Sequence, residues 1–169
     1  MNAKQNLSDT IQAAKRGNLE AFNRLVLEYQ DAVYSFAFRT LGDEEAAQET
    51  TRLIFQEAHR QLAGFRSGSF RLWLLRLAAR ICMRRLKGWH ATYRTPPSIR
   101  TSPAENSLQA CLRLIPPDLR LALILVDLEG LTYPEAAAVL NASPAKILAR
   151  LAQARQWVLR SQGANFAAA

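Results

Sequence analysis

Between Phe65 and Arg100 the sequence holds no aspartate or glutamate, yet it holds nine lysines and arginines. Other absences narrow the field before that one is read. Cysteine is nearly missing: Cys82 and Cys111 stand far apart, which argues against a disulfide framework or a zinc knuckle built on close-spaced pairs. Both are expected to be small core residues. The two histidines, His59 and His90, sit in no metal-spaced cluster and read as surface or boundary residues. No apolar run approaches the ~20 residues that a membrane-spanning helix needs. The opening stretch MNAKQNLSDT lacks the apolar centre of a signal peptide. The expectation is a cytoplasmic protein without membrane insertion. There is no glycine-rich phosphate loop, no zinc-helix motif and no nucleophile–base pair at a known spacing. No enzyme, catalytic residue, metal or cofactor is therefore expected. Sustained period-two alternation is missing too, so the chain reads as all-α.

What is present fits two small units. The chain has 169 residues, 49% of them hydrophobic, enough for one ordinary domain or two modest ones. Its net charge of +8 points to a polyanionic partner, either nucleic acid or an acidic surface. Asn18 is a predicted helix cap with Glu20 in the first turn, followed by Phe22, Leu25, Val26, Tyr29, Val33, Phe36 and Ala37 at helical spacing. Gly42 ends that helix and Asp43 caps the next, which carries Ala47, Leu53, Ile54, Ala58 and Leu62. From Gly88 the sequence GWHATYRTPPSIRTSPAEN loses apolar periodicity and reads as a flexible linker. The predicted division is a first unit over 1–88, a linker over 89–104 and a second unit over 105–169. In the second unit PPDLRLALILVDLEG reads as one helix closed by Gly130. Thr132 and Glu135 form a capping box, Asn141 ends that helix, and Ser143 caps a last helix reaching about Ser161. The tail GANFAAA is expected to fray.

The charge is polarised. Residues 41–64 carry five acids and two bases, in contrast with the all-basic stretch that follows. At ~100° per residue, Arg76, Arg80, Arg84 and Lys87 fall within an arc of roughly 80°, with Trp73 inside it. Phe70, Leu74, Leu77, Ala78 and Ile81 lie opposite, and Leu75, Cys82 and Leu86 widen the apolar surface. Two readings stay open: a solvated cationic face, or a phosphate-binding stripe. Like charges on successive turns repel by a few tenths of a kcal/mol per pair, and an anionic partner offsets this through counterion release. Phe65, Phe70 and Trp73 either stack on unpaired bases or belong to the core.

The segment TYPEAAAVLNASPAKILARLAQARQWVLR joins two helices through a short turn. Ile147, Leu151, Ala154 and Val158 share one face of the last helix, and Lys146, Arg150, Gln153 and Trp157 share another. That pattern fits a helix-turn-helix whose second helix enters a major groove. Arg150 suits guanine, Gln153 suits adenine, and Lys146 suits phosphate. Ser143 with the first-turn amides offers a further phosphate contact. A plain helical bundle gives the same spacing, so that reading stays open as well.

Taken together, these segments resemble the sigma-70 family of transcription initiation factors, in its two-domain extracytoplasmic-function group. GNLEAFNRLVLEY, LGDEEAAQE and LAGFRSGSFRLWLLRLAARICMRRL are similar to the family's core-binding and promoter-opening domain. LRLIPPDLRLALILVDLEGLTYPEAAAVLNASPAKILARLAQAR is similar to its −35 helix-turn-helix domain. The match spans roughly residues 10–162. The resemblance implies three partners: RNA polymerase core, promoter DNA and an anti-sigma factor. It implies that Asp43, Glu45, Glu49 and Arg52 face core polymerase. The loop FRSGS, with Phe65, Arg66 and Ser67, would hold a flipped −10 base. Arg71, Trp73, Arg76, Arg80, Arg84 and Lys87 would engage −10 DNA, and Ser143, Lys146, Arg150 and Gln153 the −35 element. Two departures stand out. The family's Gln-Glu pair in the third helix falls on Arg52-Leu53; a short shift onto Gln48-Glu49 breaks the aromatic register downstream. In the last helix the family run Gly-Thr-Val-Lys-Ser-Arg appears as Ala145-Lys146-Ile147-Leu148-Ala149-Arg150, so one lysine becomes leucine. The first departure keeps a second function in view: a sigma-like protein that binds an anti-sigma factor without starting transcription. A dimeric helix-turn-helix repressor would leave the basic stretch unexplained.

Overall fold

Local caps set the helix boundaries. In the computed structural model, which describes residues 3–92 and 108–166, the Asn18 side chain accepts from the Ala21 amide at 2.9 Å and opens α2, Leu19–Leu41. Gly42 closes it with φ at +77°, its amide donating to the Phe38 carbonyl at 2.8 Å, as a left-handed terminator should. Asp43 then accepts from the Ala46 amide at 2.7 Å and starts α3, Glu44–Gln61. A short 3-10 turn, Leu62–Gly64, leads through the FRSGS loop into α4, Phe70–Thr92. Helix α4 continues four residues past the boundary predicted at Gly88; most of the expected linker lies outside the described residues. A helix that the periodicity did not single out, α1 (Ala3–Lys15), covers the start. Its apolar stripe is short, with Ile11 and Ala14 buried and Leu7 packed at the margin. Phe36, Leu25, Ile54 and Leu74 are fully buried in this unit, each contributing about 1.5–3 kcal/mol of burial.

The second unit comprises α5 (Leu108–Leu114), α6 (Pro117–Leu123), α7 (Tyr133–Leu140) and α8 (Pro144–Phe166). The single helix predicted over PPDLRLALILVDLEG changes register midway. Ile124–Leu128 is a π turn, in which the Glu129 amide reaches back five residues to the Ile124 carbonyl at 2.8 Å. Such wide turns depend on tertiary packing and leave no local sequence mark. The predicted capping box is formed: Thr132 and Glu135 exchange side-chain and backbone bonds at the start of α7. Asn141 adopts φ of +49° at its end. Helix α8 extends five residues beyond the Ser161 expected as its end, so the first part of the GANFAAA tail is helical. Among the described residues there is no strand, and the all-α expectation holds.

The two units pack directly on each other. Helix α4 lies against α7, and α2 against α5 and α6. Buried side chains from both units form one continuous apolar cluster. A polar joint reinforces it at the C-terminal end of α2, where the last carbonyls lack helical partners and the helix dipole is negative. Gln109 donates to the Phe38 carbonyl at 2.9 Å, and Arg120 to that of Thr40 at 2.5 Å. Arg113 donates to the Gly42 carbonyl. Arg120 also binds the Arg113 and Ile115 carbonyls at 2.8 and 3.0 Å. Burial, with Arg113 nearby, lowers its pKa to about 10, so it stays charged at neutral pH. The Arg113 stem passes so close to Gly42 that a Cβ there would lie 2.6 Å from Nε. This is one of the few positions where glycine is demanded both by backbone angle and by space.

Candidate nucleic-acid interface

The apolar wedge of α4 is buried through Phe70, Leu74, Leu75, Leu77, Ala78, Cys82 and Leu86 as the wheel predicts, except that Ile81 is only partly buried. Burial also pushes the Cys82 thiol up to about 12. What remains on the surface is the basic stripe: Arg76, Arg80, Arg84 and Lys87 are all exposed. Among the described residues no carboxylate pairs with Arg76, Arg84 or Lys87. Arg80 reaches only Glu57, at 3.9 Å. Arg85, off the stripe, pairs with Glu49. Among the described residues the stripe is therefore largely left without an anionic partner, which is the arrangement a phosphate-binding face requires.

The loop before α4 departs from expectation. Arg66 and Ser67 are exposed, but the Phe65 ring is buried and cannot stack on a base in this arrangement. It packs edge-on against Phe70 with centroids 5.6 Å apart and against Trp73 at 5.4 Å, while Tyr29 closes on Phe70 at 5.3 Å. Lys15 ties the loop down through the Phe65 carbonyl at 2.7 Å. Phe70 is core as well, and Trp73 alone of the three stays half-buried. Arg71 is not free either, since Glu129 holds it at 2.8 Å.

In the helix-turn-helix, Ile147, Leu151 and Ala154 are buried and Val158 is partly so. Ser143 caps α8, accepting from the Lys146 amide at 3.2 Å. Lys146 and Gln153 are exposed, and Leu148 beside them is 52% exposed. Arg150 pairs with Asp118 at 3.0 Å, so reading a base would mean releasing that partner. The residues assigned to polymerase, Asp43, Glu45, Glu49 and Arg52, are all exposed. Asp43 also serves as the α3 cap. Leu53, expected in the core, is instead 41% exposed. It lines a cleft of about 310 Å³ between α3 and α4 with Glu57, Arg60, Ile81, Arg84 and Arg85. Among the described residues no helix is long and apolar enough to cross a membrane, and no cluster of three or more acids, histidines or cysteines could hold a metal.

Comparison with known proteins places this geometry. Residues 25–90 match the model of sigma-70 region 2, and residues 105–158 match that of sigma-70 region 4. The ECF RNA polymerase sigma-E factor of Escherichia coli K12 is 30% identical over 86% of this chain and 88% of its own length. The chain belongs to the sigma-70 family. The sigma-E factor of Salmonella typhimurium LT2 is 32% identical at the same coverage. The ECF sigma factor SigE of Mycolicibacterium smegmatis is 29% identical over 82% of this chain but only 60% of its own length, so this chain spans less than two thirds of that relative. The fold is also that of the Bartonella quintana sigma factor RpoE solved with the anti-sigma factor NepR, at TM-score 0.70 and 21% identity over 84% of this chain and 96% of that one. CnrH, solved with the cytosolic domain of CnrY, gives 0.69 at 24% identity over 92% of this chain and 96% of its own. The stripe, the loop and Arg39 lie in the region 2 match, and Glu129 with the helix-turn-helix in the region 4 match.

Sequence reasoning missed the residues that join these regions: Arg39, Gln109, Arg113, Arg120 and Glu129. Arg120 carried a signal, being the one basic residue inside the mostly apolar run PPDLRLALILV. A charge in such a run must find buried partners or leave the core. Glu129 carried none, because its partners are distant in sequence.

Proposed function

We propose that the chain is a promoter-specificity subunit of bacterial RNA polymerase, of the extracytoplasmic-function type. It acts in the cytoplasm, catalyses no reaction itself, and has core polymerase, promoter DNA and an anti-sigma factor as partners. The observation that carries this reading is the exposed stripe of Arg76, Arg84 and Lys87, unpaired with any carboxylate among the described residues, on a chain whose two halves match regions 2 and 4 in order. In this reading the stripe and the Arg66–Ser67 edge of the loop hold the −10 strand. Trp73 offers the stacking surface that Phe65 does not. Lys146, Arg150 and Gln153 read the −35 duplex, with Ser143 and the α8 amides on a phosphate. Asp43, Glu45, Glu49 and Arg52 meet core polymerase along α3. Run-off transcription with purified core polymerase on a genomic promoter library tests this, with discrete start sites as the expected result. No transcript from any fragment, with the core shown active with another sigma factor, would refute it.

A second reading has one specific observation behind it. Arg52 and Leu53 stand on the exposed side of α3, where the family's Gln-Glu pair is expected. A sigma-like protein that binds an anti-sigma factor alone would retain that partner and fail to pull down core polymerase.

A further inference from the structure

The Glu129 carboxylate is shared between two arginines of the other unit. Arg39 donates to Oε1 at 3.1 Å and Arg71 to Oε2 at 2.8 Å. Arg71 also donates to the Glu129 carbonyl at 3.0 Å. The Glu129 side chain is only 8% exposed, whereas the two arginines are 35% and 42% exposed. Arg39 comes from the last turn of α2 and Arg71 from the first turn of α4, straight after the FRSGS loop. Among the described residues neither arginine pairs with a carboxylate of its own unit. Without the second unit, two guanidinium groups would face one another across the width of a single anion. A phosphodiester presents two anionic oxygens much as a carboxylate does, and guanidinium binds either.

We propose that Arg39 and Arg71 form a phosphate site for the opened promoter strand, and that Glu129 fills it as an internal anion when the two units are packed together. A strand held at the loop and the second unit docked on the first then exclude each other. Glu129 is thus a negative regulator of strand binding. The inference rests on the promoter-opening reading above, but its test needs no polymerase. The π turn belongs to the device, since its wide register delivers Glu129 at the end of Ile124–Leu128.

Gly42 supplies an independent way to open the same joint. Asparagine there keeps the left-handed backbone accessible while its Cβ collides with Arg113. Gly17 is the control, because its φ is +89° and a Cβ there meets nothing within 4 Å. The experiment measures anisotropy of a labelled single-stranded oligonucleotide of mixed sequence on the full chain, with small-angle scattering of the free protein alongside. Partly exposed pairs are each worth about 1.4- to fivefold in an equilibrium, so Glu129→Gln is expected to tighten strand binding about two- to twenty-fivefold. Gly42→Asn should tighten it as well and raise the radius of gyration, and Gly17→Asn should do neither. Replacing both Arg39 and Arg71 by Gln in the Glu129→Gln background should abolish the gain. Wild-type affinity in both Glu129→Gln and Gly42→Asn would overturn the proposal, as would a gain that survives loss of both arginines. Absence of run-off transcription with the Glu129→Gln gain intact would instead count against the promoter function and leave the anion site standing.

Discussion

Replacing Arg120 by methionine sets two large effects against each other. Arg120 is 6% exposed, and its guanidinium has no carboxylate partner among the described residues, only carbonyls. Its pKa is lowered to about 10, first by burial and then by Arg113. Set against the ordinary, higher value of a guanidinium, that corresponds to roughly 3 kcal/mol against burying the charge. The sign follows from linkage: the folded state holds the proton less tightly, so this penalty is fully present at neutral pH and is relieved only as pH rises above about 10. Against it stand hydrogen bonds to three separate carbonyls, of Thr40, Arg113 and Ile115, at about 1.5–3 kcal/mol each for a charged donor. The bonds outweigh the penalty, and methionine would leave three carbonyls without a donor. Arg120→Met should therefore lose about 2–4 kcal/mol. For a chain of this size that lowers Tm by roughly 5–15 °C. Urea denaturation followed by circular dichroism measures it directly. An unchanged or raised midpoint would refute the reasoning and mean that an apolar side chain fills the site better than the buried cation does.

Three further outcomes are expected. Thr132→Ala should cost about 1 kcal/mol by removing the α7 cap. The Glu135 carboxyl is held below its usual range by Thr132 bonds, so the wild type should lose this contribution as pH falls below about 4.3. The variant should show a weaker acid dependence and a Glu135 titration by NMR closer to an ordinary glutamate. Arg76→Ala and Arg84→Ala should each reduce the salt slope of single-strand binding by about 0.7 and leave stability within about 0.5 kcal/mol; an unchanged slope would place the stripe off the strand. Cys82, buried with its thiol pushed up to about 12, should resist a thiol reagent in the native protein while the half-buried Cys111 reacts; rapid modification of both would contradict the burial.

The features legible in the sequence are those decided within a turn or two of chain. Asn18, Gly42, Asp43, the Thr132–Glu135 box and Asn141 act through bonds to near neighbours, and each stands where its residue type predicts. The buried wedge of α4 was legible for the same reason, since a wheel needs only periodicity. Phe65 was not, because its burial is set by Phe70, Trp73 and the Lys15 tether from α1. Leu53 fits an apolar spacing but falls at the rim of α3, on a cleft to which α4 contributes Arg84 and Arg85 beside Ile81. The basic stripe survives as a candidate because, among the described residues, no carboxylate pairs with Arg76, Arg84 or Lys87. Arg71 has the same chemistry and is taken by Glu129, a partner that neither period nor spacing could foretell.

The continuous apolar seam between the halves also ties the protein to temperature. Parting α4 from α7 hydrates nonpolar surface, so the separated form must have the larger heat capacity. The closed form then has a temperature of greatest strength and loosens on either side of it. Cooling weakens the apolar share of the seam, leaving the arginine–carbonyl bonds at the α2 terminus as its more cold-tolerant part.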